Sequence, residues 1–227
     1  MPNKDLLNFL TELSINNSKE WMDENRSWYE QEKASFLESV AEILAQLSKW
    51  QPGFSELRPK DCVFRQNRDI RFSANKAPYK SNMAAYFSVG GKKSEGPGYY
   101  VHVQPGASFV GGGIWMPAAP ILKKIRQEID YSGGELKKLL LSPEIKENFG
   151  EMQGAKLKTS PKGFEKDHQY IEYLRYKSFI LSHPFSDEEI RSGAFVASSL
   201  EAFSKMRPFH AFLNSAISTT DEDDILL

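Results

Sequence analysis

One cysteine, no long apolar run and no surplus of either charge narrow what this 227-residue chain can be. Cys62 alone rules out an intramolecular disulfide, and its neighbours Val63 and Phe64 mark it as a small buried hydrophobe in a reducing compartment. The uncharged apolar stretch at residues 109–122 holds three glycines and two prolines, so it neither spans a bilayer nor directs export. The N-terminus carries an early acid, Asp5, and no signal-like apolar core. A soluble cytoplasmic protein without membrane contact is expected. A net charge of −1 and a pI near 6.5 exclude wholesale binding to polyanions and leave any such contact local. His102, His168, His183 and His210 are scattered, without a helical two-histidine spacing or a second cysteine, so neither a zinc site nor another cofactor is expected. Gly111, Gly112 and Gly113 precede Ile-Trp-Met-Pro instead of a Lys-Ser or Lys-Thr helix start, which excludes a nucleotide-hydrolase phosphate loop. Cys62 and the serines lack the context of a nucleophile elbow.

What is present suffices for a sizeable core: 40% hydrophobic and 12% aromatic residues. With no repeat, low-complexity block or linker, a single domain over 1–227 is expected, folded over about 5–217 with a frayed acidic tail at 218–227. Leu6, Phe9, Leu10 and Leu13 give helical spacing over 5–15. Asn16-Asn17-Ser18 then breaks it and offers a cap, with Glu20 three residues beyond Asn17, to a long helix ending at Pro52-Gly53. Residues 62–65, 81–89, 99–104 and 108–113 read as short strands, and 178–183 as another. Helices are predicted over 117–131, 135–141 and 143–149, and again after Ser186-Asp187-Glu188-Glu189, a capping box, with a bend near Pro208. The fold class is α+β, a central antiparallel meander of about four or five strands packed against several helices.

The densest chemistry lies at 65–80, where Arg65, Arg68, Arg71, Lys76 and Lys80 surround one acid, Asp69. Arginine's planar fork suits carboxylate or phosphate, and lysine adds a mobile point charge. Pro78 pushes Ala77 out of helical geometry, while Ser73 and Asn75 favour turns, so the segment is placed on a strand-to-strand connection. Extended or helical, it sets Asp69 beside at least one arginine, ionised and orienting its neighbours.

The pattern Arg65-x-x-Arg68-Asp69-x-Arg71-Phe72-x-x-x-Asn75-Lys76-x-x-Tyr79 resembles the signature of an uncharacterised, mainly bacterial family, domain of unknown function twenty-four sixty-one. Every signature position is filled. Glu20-Trp21, Gly98-Tyr99-Tyr100-Val101-His102, the Gly111 to Pro117 stretch, Gly163-Phe164-x-Lys166-Asp167-His168 and Lys177-Ser178-Phe179 extend the similarity from about Asp5 to Asn214. The resemblance implies one bacterial-type domain and carries no catalytic assignment.

Alternation along 99–104 places Tyr100, His102 and Gln104 on one sheet face and Tyr99, Val101 and Val103 on the other. With Tyr86 beside it, that polar face would bring phenol and imidazole groups to the arginine loop, and the three glycines would allow close backbone approach. His102 is the acid/base candidate, the alternative being a histidine hydrogen-bonded on a half-exposed face. Asp167 and His168 point oppositely on an extended chain, so local turn capping accounts for them, and Lys177 is a secondary basic candidate.

Three readings stay open. In the first, Arg65, Arg68, Arg71 and Lys76 bind a small phosphate or carboxylate ligand, oriented by Asp69 and walled by Tyr79, Tyr86, Tyr100 and His102, with or without catalysis by His102 and Asp69. In the second, Lys60, Lys80, Lys92 and Lys93 extend the patch for nucleic acid, with Tyr99 or Tyr100 stacking. In the third, the signature is an internal salt-bridge network of a structural or partner-binding protein. Oligomeric state and pathway are not encoded in these features.

Overall fold

A computed structural model describes residues 5–218. The expected frayed tail lies almost wholly outside the described residues. The class is α+β, with a four-stranded antiparallel sheet of order β1-β2-β3-β4: β1 (Met83–Phe87), β2 (Gly98–Val103), β3 (Ser108–Ile114) and β4 (Phe179–Phe185). The chain divides into two compact units, each described separately below.

The first unit begins with α1 (Leu6–Ile15), whose Leu6, Leu7, Phe9, Leu10 and Leu13 are buried at the expected helical spacing. Phe9 is ringed by Trp21, Trp28 and Tyr29, with the Trp28 ring edge-on at 5.3 Å. The long second helix is in fact two, α2 (Lys19–Glu24) and α3 (Arg26–Trp50). Asn25 interrupts them at φ −104°, ψ 21°, because its side-chain amide donates to Trp21 O at 2.9 Å and competes with helix continuation. The cap of α2 is Ser18, not Asn17: Ser18 Oγ accepts from Trp21 N, while Asn17 is engaged elsewhere. α3 ends just before Pro52-Gly53 as expected, and a 3-10 turn at Pro52–Glu56 follows it. Residues 62–65 are not a strand. Cys62 closes a one-turn helix, α4 (Pro59–Cys62), and only a single bridge, Val63 to Ala85, joins this segment to β1.

In the β1–β2 pair Tyr86 stands opposite Tyr100 and Ala84 opposite His102. Alternation along β2 therefore sorts its residues as expected, with Tyr99, Val101 and Val103 buried and Tyr100 and His102 half-buried. The unit also contains α8 (Asp187–Ser192), which starts with the expected Ser186–Glu189 capping box.

The second unit includes α5 (Ala119–Leu140), α6 (Pro143–Phe149), α7 (Ile171–Leu174) and most of α9 (Phe195–Ser218). The two helices expected over 117–131 and 135–141 are the two halves of α5, separated by a break at Ser132 (φ −114°, ψ 21°), next to which Gly133 lies so close to the Tyr170 ring that a Cβ would clash. In β3 a Cβ on Gly113 would fall 2.0 Å from Phe179 O, and Gly113 has φ +128°, so the glycine run does serve close backbone approach. Gly112 in turn makes room for His210 of α9. Complete burial pushes the His210 imidazole down to about 3, so it is neutral in the folded protein.

A depressed histidine contributes stability that is complete above its unfolded value, near 6.5, and is lost as pH falls toward its folded one. Between pH 7 and pH 5 His210 alone removes about 2 kcal/mol, and His102, also lowered chiefly by burial, acts in the same direction. Urea denaturation at the two pH values checks this, with His210→Leu expected to flatten the dependence whatever its absolute stability.

Candidate functional site

The signature segment is a loop between α4 and β1, closed at its neck by main-chain pairing. Arg68 N donates to Pro78 O at 2.8 Å, Lys80 N donates to Gln66 O at 2.9 Å, and Asn67 bridges Tyr79. Two amide side chains lock this neck. Asn17 Oδ1 accepts from Tyr79 N at 2.9 Å while its Nδ2 donates to Tyr79 O at 3.0 Å, imitating a strand partner. Gln66, buried, donates from Nε2 to the carbonyls of Lys80 and Asn82.

Inside the loop most signature residues brace one another. Arg68 crosses it, donating from Nη1 to Ala77 O at 2.8 Å and from Nη2 to Ser73 Oγ at 3.3 Å. Lys76 donates to Ile70 O, and Asn75 Oδ1 accepts from Ala77 N in the turn before Pro78. Asp69 takes Arg71 in a two-pronged pair at 3.0 and 2.7 Å, and this contact first of all holds the carboxyl below its ordinary value. The pair is exposed, at 77% for Arg71 and 46% for Asp69, so it strands no buried charge. Tyr79 is buried, near Arg26 and Tyr29 of α3. At the tip Phe72 is 96% exposed beside the Arg71 guanidinium.

Among the signature cations Arg65 differs: its guanidinium makes no hydrogen bond among the described residues, while its charge reaches Asp69 and Lys80. Lys80 Nζ donates to Arg65 O and Lys92 Nζ to Val63 O, each at 2.8 Å. The two ammonium groups lie 5.6 and 5.1 Å from the centre of one ring, Phe64, which is 39% exposed. Burial, then Arg65 and Lys92, lower the Lys80 pKa, as expected of an ammonium among like charges. The acids within reach, Asp61 and Asp69, are held by Arg58 and Arg71 respectively. Arg65, Lys80 and Lys92 therefore form a cationic group whose hydrogen bonds run to carbonyls, with no carboxylate at ion-pair distance among the described residues.

Beyond Phe64 lies the polar sheet face, with Tyr100 edge-on to it at 6.2 Å. Because Gln104 Oε1 can only accept, His102 Nε2 donates to it at 3.0 Å, and Nδ1 accepts from Tyr100 Oη at 2.9 Å and Asn82 Nδ2 at 3.3 Å. His102 stacks on Phe109 at 4.8 Å. Burial lowers its pKa, so the ring is neutral with both nitrogens engaged. Tyr86, whose phenol is raised by burial, stands opposite Tyr100 on the same face.

Of the sequence-predicted residues, Tyr86, Tyr100 and His102 are brought together, and Arg65 stands at the loop neck with its charge reaching Lys80. Arg68, Asp69, Arg71, Lys76 and Tyr79 build the loop or its outer surface. Asn17, Phe64 and Gln66 carried no site signal, Lys92 figured only as an extension toward nucleic acid, and Lys80, part of the 65–80 charge cluster, figured as a contact only in that extension. Elsewhere, His168 Nδ1 accepts from Tyr170 N as the expected turn cap, and its Nε2 meets Asp130 instead of Asp167. Burial raises the Cys62 thiol to about 11, which fits an inert hydrophobe. Among the described residues no helix is long and apolar enough to cross a membrane.

The loop's dependence on its neck is measurable. Asn17→Ala strands both main-chain groups of Tyr79 and is expected to lower stability by about 1–3 kcal/mol in urea denaturation. Arg71→Ala, removing an exposed pair, is expected to retain the wild-type melting temperature.

No curated protein and no solved structure matches the chain. The family described as conserved hypothetical protein (DUF2461) matches residues 5–212, a span running from α1 into α9 that takes in the loop, its neck and the polar sheet face. The chain belongs to that family.

Proposed function

We propose that this protein binds a small anionic ligand, a phosphate or carboxylate, on Arg65, Lys80 and Lys92. One observation carries the reading: two ammonium groups, Lys80 and Lys92, converge on the Phe64 ring, and the charge of Arg65 reaches Lys80, while the neighbouring acids are held by other arginines. Crowding like charges raises the free energy of the unliganded protein, and an anion relieves it. Of the four signature cations first considered, only Arg65 supplies charge to this group. Arg68 and Lys76 position the loop through carbonyl contacts, and Arg71 is neutralised by Asp69.

The internal salt-bridge reading is less well supported, since Arg71 is the only signature cation within ion-pair distance of a carboxylate among the described residues. His102 contributes no obvious acid/base step here, its lone pair already accepting from Tyr100 and Asn82. The reading is accordingly one of binding.

Thermal unfolding in phosphate and pyrophosphate, each against chloride of equal ionic strength, tests it. At 100 times Kd a site specific for the native state adds about 2.7 kcal/mol. Lys80→Gln with Lys92→Gln is expected to abolish the stabilisation, and Arg71→Ala to retain it. Equal stabilisation of wild type and the double variant would remove the assignment.

A further inference from the structure

The cationic group is the edge of a larger surface. Tyr100, His102 and Phe109 cluster on the half-buried face of β2 and β3 with ring centres 4.8 to 5.9 Å apart, His102 stacked on Phe109 and Tyr100 tilted to both, and Phe64 joins that cluster to the ammonium groups. The outer rings of such a cluster offer a flat ring a stacking partner that water does not match, and Lys80 and Lys92 lie one ring further on, with the charge of Arg65 reaching Lys80. Two amides border it. His102 uses Asn82 Nδ2 and Gln104 Oε1, so Asn82 Oδ1 and Gln104 Nε2 are the atoms it leaves, one acceptor and one donor. Stacking surface, acceptor, donor and clustered positive charge together match a nucleobase joined to a phosphate.

We infer that the anionic ligand is a free nucleotide, its base stacked against the Tyr100–His102–Phe109 face and its phosphate held by Arg65, Lys80 and Lys92. This inference rests on the anion-binding reading and adds the chemical class. The choice of a free nucleotide over a strand follows from the charge distribution. Lys80 and Lys92 both gather at one ring, which suits a single phosphate group, whereas a strand needs cations spaced along its backbone. The chain's net charge of −1 points the same way.

Isothermal titration of the full chain with AMP, ribose 5-phosphate, inorganic phosphate and a twelve-nucleotide oligodeoxyadenylate separates the outcomes. AMP is expected to bind about tenfold more tightly than ribose 5-phosphate, the increment typical of one stacked base. Tyr100→Leu is expected to remove that increment and keep ribose 5-phosphate binding unchanged. Phe109→Leu, at a half-buried ring outside the cationic group, should reduce the increment and serves if Tyr100→Leu does not fold. Equal affinity for AMP and ribose 5-phosphate would overturn the stacked base while the anion site stood. Tighter binding of the oligonucleotide, per nucleotide, than of AMP would overturn the free ligand in favour of a strand. Absence of binding by every phosphate compound would overturn both readings together.

Discussion

The main-chain clasp at Tyr79 and Lys80 is the constraint on which the rest of the site depends. Asn17 satisfies both polar groups of Tyr79, and Gln66 holds the carbonyls of Lys80 and Asn82. Without these amides the segment entering β1 would present a row of unpaired backbone donors and acceptors. With them, the chain direction at residue 80 is fixed, and so is the origin of the Lys80 side chain. Arg65 is fixed from the other side of the neck, next to the buried Gln66, and its carbonyl receives the Lys80 ammonium. The placement of Arg65 and Lys80 thus follows from a backbone arrangement held by neutral amide side chains.

How such a group persists without acids is a question of relative magnitude. Two like charges near a protein surface repel by a few kcal/mol at an effective dielectric of about 20. A carbonyl acceptor for each ammonium and the face of Phe64 offset part of this, each contributing on the order of 1 kcal/mol. Burial is the first cause of the lowered pKa of Lys80, and the repulsion from Arg65 and Lys92 adds to it. By contrast the Asp69–Arg71 pair, most conspicuous in the sequence, is exposed and screened, and its energetic weight is small.

The fold class and the sidedness of β2 were legible because both rest on short periodicities. Alternation at 99–103 needs no partner to be read, and Leu6 to Leu13 announce a buried helical stripe by themselves. The strand expected at 62–65 shows the limit of this reasoning: β-prone residues there meet β1 at a single bridge, so propensity alone did not decide. Asn17 is more instructive. Followed by Ser18 and Glu20 it reads as a helix cap, yet its side chain pairs with residue 79, a partner 62 positions away that local spacing does not encode. The same distance hid the role of Lys92, whose nearest ring and carbonyl, Phe64 and Val63, lie 28 and 29 positions earlier.

The signature was read as a set of ligand-facing cations because charge density is visible in sequence and hydrogen-bond direction is not. Arg68 illustrates the difference. Its five donors make it a candidate for any anion, yet two of its nitrogens turn inward to Ala77 O and Ser73 Oγ, which lets a charged side chain act as the cross-brace of a loop. Once Arg68, Asn75 and Lys76 hold the loop shut, Arg65 is left at its neck beside Lys80 and next to Phe64, where the loop meets the aromatic face of the sheet. The signature and the proposed ligand site are thereby linked mechanically: the pattern of residues 65–79 shapes a loop, and the shape of that loop sets where the unneutralised charge falls.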